Sequence, residues 1–294
     1  MRPAADRLRI APERPIRERL NTHTLAAVTE AVYTALGGGR FEPSELSRGP
    51  WSPGHQHGGA PAALIAGVFD SVEAPCPMRI ARLTFDLLKP VPIAPVEVTT
   101  EVIRPGKRVQ LVAASMSCEG EEVVRAQALR IRHEPGASEP EGFAPPPEPP
   151  PESSPEPVAF DSEMLGGKMF GGDAMEIRLA GGKERWEVPG PAMAWMRLKV
   201  PVVAGEETTP VQRAAATADF GNGISSILDW QAFAFINPDL TITLGRRPQG
   251  EWIALDAVTS ISDDGTGMAT GILSDTGGQF GTSAQALFVS AMDR

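Results

Sequence analysis

The chain has 294 residues, 41% of them hydrophobic and 22% charged, with a net charge of -10. No stretch approaches the roughly 20 consecutive apolar residues that a membrane-crossing helix needs, and so acidic a chain is a poor partner for nucleic acid, which is bound mainly through Lys and Arg on phosphates. Two cysteines, Cys76 and Cys118, are too few for a disulfide framework or a zinc cluster and fit a reducing, cytoplasmic setting.

Residues 1–23 are Arg-rich but carry Asp6, Glu13 and Glu18 and lack the apolar stretch of a secretory signal, so a mobile N-terminal tail is expected there. A first unit, 24–133, carries "APAALIAGVFDSV" upstream of its strands, where Ala62, Leu64, Ile65, Val68 and Phe69 recur at helical spacing; a helix this apolar is expected to be buried. Period-two alternation follows in "LTFDLL", "VEVTTEVI", "RVQLVAASM" and "EVVRAQALRIR", with Gly-bearing turns between the last three. This order suggests one helix wrapped by a curved antiparallel meander.

Proline, glutamate and serine then displace every periodic pattern over 134–158, which reads as an extended linker. The unit 159–294 repeats the earlier order. "FGNGISSILDWQAF" is read as its short helix, and "DLTITL", "EWIALDAVTSI", "GMATGILSD" and "GTSAQALFVS" as its strands. Leu83-Thr84 matches Leu240-Thr241 at an offset of 157, while Gly120 matches Gly278, and Ala126-Gln127-Ala128-Leu129 matches Ala284-Gln285-Ala286-Leu287, at 158. A near-constant offset points to an internal duplication.

The chain has no G-x-S-x-G elbow, Walker loop, H-E-x-x-H or paired C-x-x-C, so no metal or cofactor site is expected. His55 and His57 have only His23 and His133 as further imidazoles, too few for a metal set. His57 precedes Gly58 and Gly59 at the entrance to the first helix, where free backbone N–H groups accept a ligand; a partly buried loop histidine is the plainer alternative. Asp219, in "ADFGNG", reads either as a helix N-cap or as a functional carboxylate at a start loosened by Gly221, Asn222 and Gly223. Gln285 shares a strand face with Leu287 and Val289 and must find partners if buried. Asn237 opens a strand as ordinary Asn-Pro turn chemistry. The pairs Lys107-Arg108 and Arg246-Arg247 are solvated turn charges or phosphate contacts.

The strings "RGPWSPGHQHGGAPAALIAGVFD", "RLTFDLLKPVP", "VQLVAASM", "PVQRAAATADFGNGIS", "FINPDLTI" and "GEWIALDA", in this order, resemble the thioesterase-like superfamily, and within it the double-hotdog proteins of the bacterial acyl-CoA thioesterase II type. The resemblance implies an α+β double hotdog: two tandem units, each a central helix wrapped by an antiparallel sheet, packed as a pseudo-dimer. It also implies an acyl-CoA substrate cleaved by a water held among Asp, Thr and Gln, without a cofactor. The Asp falls on Asp219 and the Gln on Gln285, whereas the Thr position falls on Asn237 or Pro238, a departure from the family pattern. Backbone N–H groups near Gly58-Gly59 or Gly221 to Gly223 would meet the oxyanion. Two other functions fit such a cleft: non-catalytic acyl-CoA or lipid binding, and hydration of enoyl-CoA. The hydratase would require His57 of one copy to meet Asp219 of the other. Sheet edges left by the pseudo-dimer would allow a homo-oligomer.

Overall fold

The computed structural model describes residues 30–139, 141–148, 157–160 and 167–292; the tail expected at 1–23 lies outside them. The first copy runs β1 (Tyr33–Gly37), β2 (Arg40–Pro43), α1 (Gly59–Ser71), β3 (Met78–Leu87), β4 (Val96–Arg104), β5 (Val109–Cys118) and β6 (Glu121–Arg132). The second runs β7 (Met175–Ala180), β8 (Ala192–Leu198), α2 (Pro210–Ala218), α3 (Gly221–Ile224), β9 (Phe233–Ile236), β10 (Asp239–Leu244), β11 (Ile253–Ile261), β12 (Thr266–Asp275) and β13 (Gly278–Ala291).

Side-chain alternation drives the sheet. Along β5 every second residue, from Gln110 to Cys118, is buried, as a strand with one face on a core requires. All pairings between these strands are antiparallel, in the order β1-β2-β4-β5-β6-β3-β10-β13-β12-β11-β8-β7, with β9 beside β13. The order reads alike from either end. At its centre Thr84 of β3 faces Thr241 of β10, with Leu83 opposite Ile242 and Phe85 opposite Leu240. Equivalent strands thus pair with each other about a pseudo-two-fold axis, and the chain is a double hotdog. The helices α1 and α2 lie against one another beneath the sheet. A Cβ on Gly59 would sit 2.8 Å from the Ala216 carbonyl oxygen, so glycine permits this contact. Nine of the thirteen residues of α1 are buried, as its apolar composition requires.

The register corrects part of the repeat seen in the sequence. Thr84 pairs with Gln127, and its equivalent Thr241 pairs with Ala284, so the structural offset is 157 throughout this region. The repeated "AQAL", matched at 158, is one residue out of register, and a slip of one reverses the face of a strand. Gln127 accordingly sits half-exposed between buried Ala126 and Ala128, whereas Gln285 is 3% exposed and points inward. The inward position equivalent to Gln285 holds Ala128.

The second copy's helix is also displaced from its expected place. It is α2, upstream of the glycines, and its N-cap is Thr209: the hydroxyl accepts from Gln212 N, Gln212 Oε1 accepts from Thr209 N, and Pro210 stands just inside the helix. Only Gly221–Ile224 of the expected segment is helical. Five strands, β1, β2, β7, β8 and β9, add to those expected. Part of the proline-rich segment lies along the second copy rather than away from it. Ala144 O accepts from Gln279 N at 3.0 Å, Glu148 O accepts from Trp195 Nε1 at 2.8 Å, and a Cβ at Gly245 would meet the Phe143 ring at 2.5 Å.

Candidate functional site

Asp219 sits where α2 ends, as its C-cap and not as an N-cap. The α2–α3 junction turns its carboxylate into the interior, where the residue is 4% exposed. Both oxygens are held by side chains. Asn237 Nδ2, just past β9, donates to Oδ1 at 2.8 Å, and Gln285 Nε2, from β13, donates to Oδ1 at 3.3 Å and to the Asp219 carbonyl at 3.2 Å. His57 Nδ1, from the loop before α1, lies 3.0 Å from Oδ2. The first copy therefore supplies the imidazole and the second the carboxylate and both amides.

Each partner is itself fixed. The Gln285 Oε1 accepts from Asn222 N at 3.1 Å, which leaves the Nε2 end to face Asp219. Asn222 Nδ2 in turn donates to the Phe235 carbonyl of β9 at 3.3 Å. Asn237 is pinned a second time through Nδ2 to the Asp239 carbonyl, at 3.2 Å. His57 N donates to Ser47 O at 2.8 Å, and its ring stacks on Phe220 at 4.5 Å and lies 5.2 Å from Phe170. Gln56 beside it is buried, accepting from the Tyr33 hydroxyl and donating to Pro92 O. Tyr33 is fully buried, and burial pushes its phenol well above the usual range.

The glycines serve close approach to the protein's own side chains. A Cβ on Gly58 would lie 2.8 and 3.0 Å from the two Asp219 carboxylate oxygens, and one on Gly221 would lie 2.8 Å from Gln285 Oε1. A Cβ on Gly223 would meet the Trp186 ring instead, and the Asn222 N–H is already taken by Gln285. At the other helix start, Gly59 N lies 3.0 Å from His57 Nδ1. That nitrogen serves one neighbour at a time: protonated, it donates to Asp219; unprotonated, it accepts from Gly59. Asn237, not Pro238, reaches the carboxylate; the Pro238 carbonyl accepts from Leu87 N. Of the basic pairs, Arg246 is locked in a two-pronged pair with fully buried Asp275, at 2.6 and 2.7 Å, while Lys107 and Arg108 stay solvent-facing.

An acyl-CoA thioesterase N-terminal domain model matches residues 47–131, and the acyl-CoA thioesterase C-terminal domain model matches residues 140–289. The chain belongs to the acyl-CoA thioesterase family. Hotdog proteins of known structure share its architecture over about nine-tenths of the chain. A hotdog-fold protein of unknown function from Alicyclobacillus acidocaldarius has a TM-score of 0.69 at 18% identity, over 90% of this chain and 97% of that one. An acyl-CoA thioesterase II, TesB2, from Mycobacterium marinum has 0.60 at 16%, over 89% and 96%. The tesB protein of Mycobacterium avium subs paratuberculosis has 0.58 at 16%, over 88% and 96%. No curated protein sequence matches significantly. Among the described residues no helix is long and apolar enough to cross a membrane.

Sequence reasoning missed Tyr33 and Gln56 behind His57, the aromatic rings around the imidazole, and the Thr209 cap. Only the last carried a local signal, Thr-Pro-x-Gln. The others are brought in by contacts between distant segments.

Proposed function

We propose that the chain hydrolyses acyl-CoA thioesters with Asp219 as the group that takes a proton from the attacking water. The observation that carries this is the carboxylate itself: buried, and oriented by Asn237, Gln285 and His57 from two copies of the fold. A general base must be aimed before it is useful, and three hydrogen-bonding nitrogens aim this one. Water oxygen adds to the thioester carbon as its proton passes to Asp219. The oxyanion is met by N–H groups where α1 begins, at Gly58 and Gly59, a contribution typically worth about 3 kcal/mol per donor. Collapse breaks the carbon–sulfur bond, and the coenzyme A thiolate leaves and takes up a proton. In this scheme a protonated Nδ1 on His57 both holds Oδ2 and releases the Gly59 N–H to the substrate.

Release of thiol from a panel of acyl-CoAs tests the reading. Asp219→Asn is expected to lower kcat by about 10²- to 10⁴-fold, and Gln285→Ala to lower it as well; if both keep wild-type turnover on every substrate cleaved, the assignment is wrong. A second reading rests on one observation, the 3.0 Å contact between His57 and Asp219, which meets the condition set for a hydratase. Under it, 2-enoyl-CoA loses its conjugated absorbance with no thiol released. Binding of acyl-CoA with neither reaction overturns both.

A further inference from the structure

Two loops leave the site and meet at their tips. One runs from Gly49 to His55, is closed by Gly49 N donating to His55 O at 2.9 Å, leads directly into His57, and carries Trp51. The other connects α3, whose Asn222 fixes Gln285, to β9, which leads to Asn237, and it carries Trp230. The two indoles stack at 5.2 Å with 19° between their planes. Phe235, buried on β9, stands edge-on to both, at 5.2 Å from Trp51 and 4.5 Å from Trp230. Trp51 nevertheless keeps 39% of its surface exposed. No hydrogen bond of the Asp219 network uses either indole.

We propose that Trp51 and Trp230 form a stacking subsite for a flat aromatic ring of the substrate, beside the Asp219 site; the proposal rests on the acyl-CoA reading of that site. An indole backed by a second ring and held edge-on by a third is rigid, Trp51 keeps part of its surface open, and aromatic rings hold planar rings by offset stacking. Each copy contributes one indole, so the subsite exists only where the copies meet, as the His57–Asp219 pair does. A thioester of coenzyme A offers two sources of a planar ring, the adenine of the carrier and an aromatic acyl group.

Four substrates separate them: phenylacetyl-CoA, hexanoyl-CoA, and the phenylacetyl and hexanoyl thioesters of pantetheine, which lack adenine. Wild type, Trp51→Ala, Trp51→Phe and Trp230→Ala are compared by thiol release. Either alanine variant is expected to raise KM about tenfold on substrates bearing the stacked ring, with Trp51→Phe recovering most of it. A loss that follows coenzyme A over pantetheine assigns adenine; one that follows phenylacetyl over hexanoyl assigns the acyl group. An equal loss on all four substrates, or none, overturns the subsite. Quenching of tryptophan fluorescence by coenzyme A and by phenylacetate, weaker in Trp51→Phe, reads the subsite without turnover. Quenching with no hydrolysis by wild type sinks the hydrolase reading alone, while hydrolysis with no ring-dependent loss sinks the subsite alone.

Discussion

Gly58→Ala tests the placement of the carboxylate while keeping every reacting group, the Gly58 N–H included. Gly58 has φ -57° and ψ -28°, a conformation alanine adopts freely, so the backbone carries no strain. The new Cβ would nevertheless stand 2.8 Å from one Asp219 oxygen and 3.0 Å from the other. Carbon–oxygen contacts settle at about 3.3–3.6 Å, so the nearer oxygen must retreat by at least ~0.5 Å. That motion stretches the 3.0 Å His57 contact to the limit of a hydrogen bond and moves Oδ1 against Asn237. Because the displaced atoms end a side chain, the fold yields cheaply and the melting temperature should change little. Misplacement of a reacting group by about 1 Å costs on the order of 10²-fold in rate, so kcat/KM in the thiol-release assay should fall about 10- to 100-fold. In an Asp219→Asn background the same substitution should cost much less, since the aimed base is already gone. Wild-type kcat/KM for Gly58→Ala, with Asp219→Asn inactive, would refute the claim that the position of this carboxylate matters.

The titration of Tyr33, the one tyrosine in the chain, is readable by phenolate absorbance alone. Burial raises its pKa in the folded state, so the neutral phenol stabilises the fold fully below the unfolded value of about 10, and that contribution is lost as pH rises beyond it. Phenolate absorbance should therefore appear only together with loss of circular dichroism, and a reversible titration near pH 10 in folded protein would contradict the burial. Asp275→Ala should destabilise by about 3 kcal/mol in urea denaturation. It strips partners from Arg246 and from the N–H groups of Gln249 and Gly277, and Asp275→Leu combined with Arg246→Leu should be milder than either alone.

The strands were legible wherever one face meets the core, because burial imposes period two on the sequence; β10 falls on "DLTITL" residue for residue. The helix of the second copy was not, because α2 is only nine residues long, its cap signal at Thr209 lies upstream, and the glycines drew the reading one element downstream. Glycines 221 and 223 drew attention to the right junction for the wrong reason: Asp219 closes one helix instead of opening another. Asp219, Gln285 and Asn237 were singled out from the residues, resemblance alone joined them as a trio, and the structure brings all three together. What no pattern in the sequence could show is register. "AQAL" recurs by letters, yet the two glutamines point to opposite faces, which only strand pairing decides.

The pairing of Thr84 with Thr241 joins equivalent strands inside one polypeptide. Two identical subunits meeting in this way would carry any substitution at both ends of the axis, each helpful change accompanied by its mirror image. Fusing the halves breaks that obligation. One half contributes His57 to the centre, the other Asp219, Asn237 and Gln285, and the strand position that holds an amide on one side is free to be Ala128 on the other. An asymmetric centre on a symmetric frame is thus open to a single mutation at a time, with the unused half released to serve as scaffold.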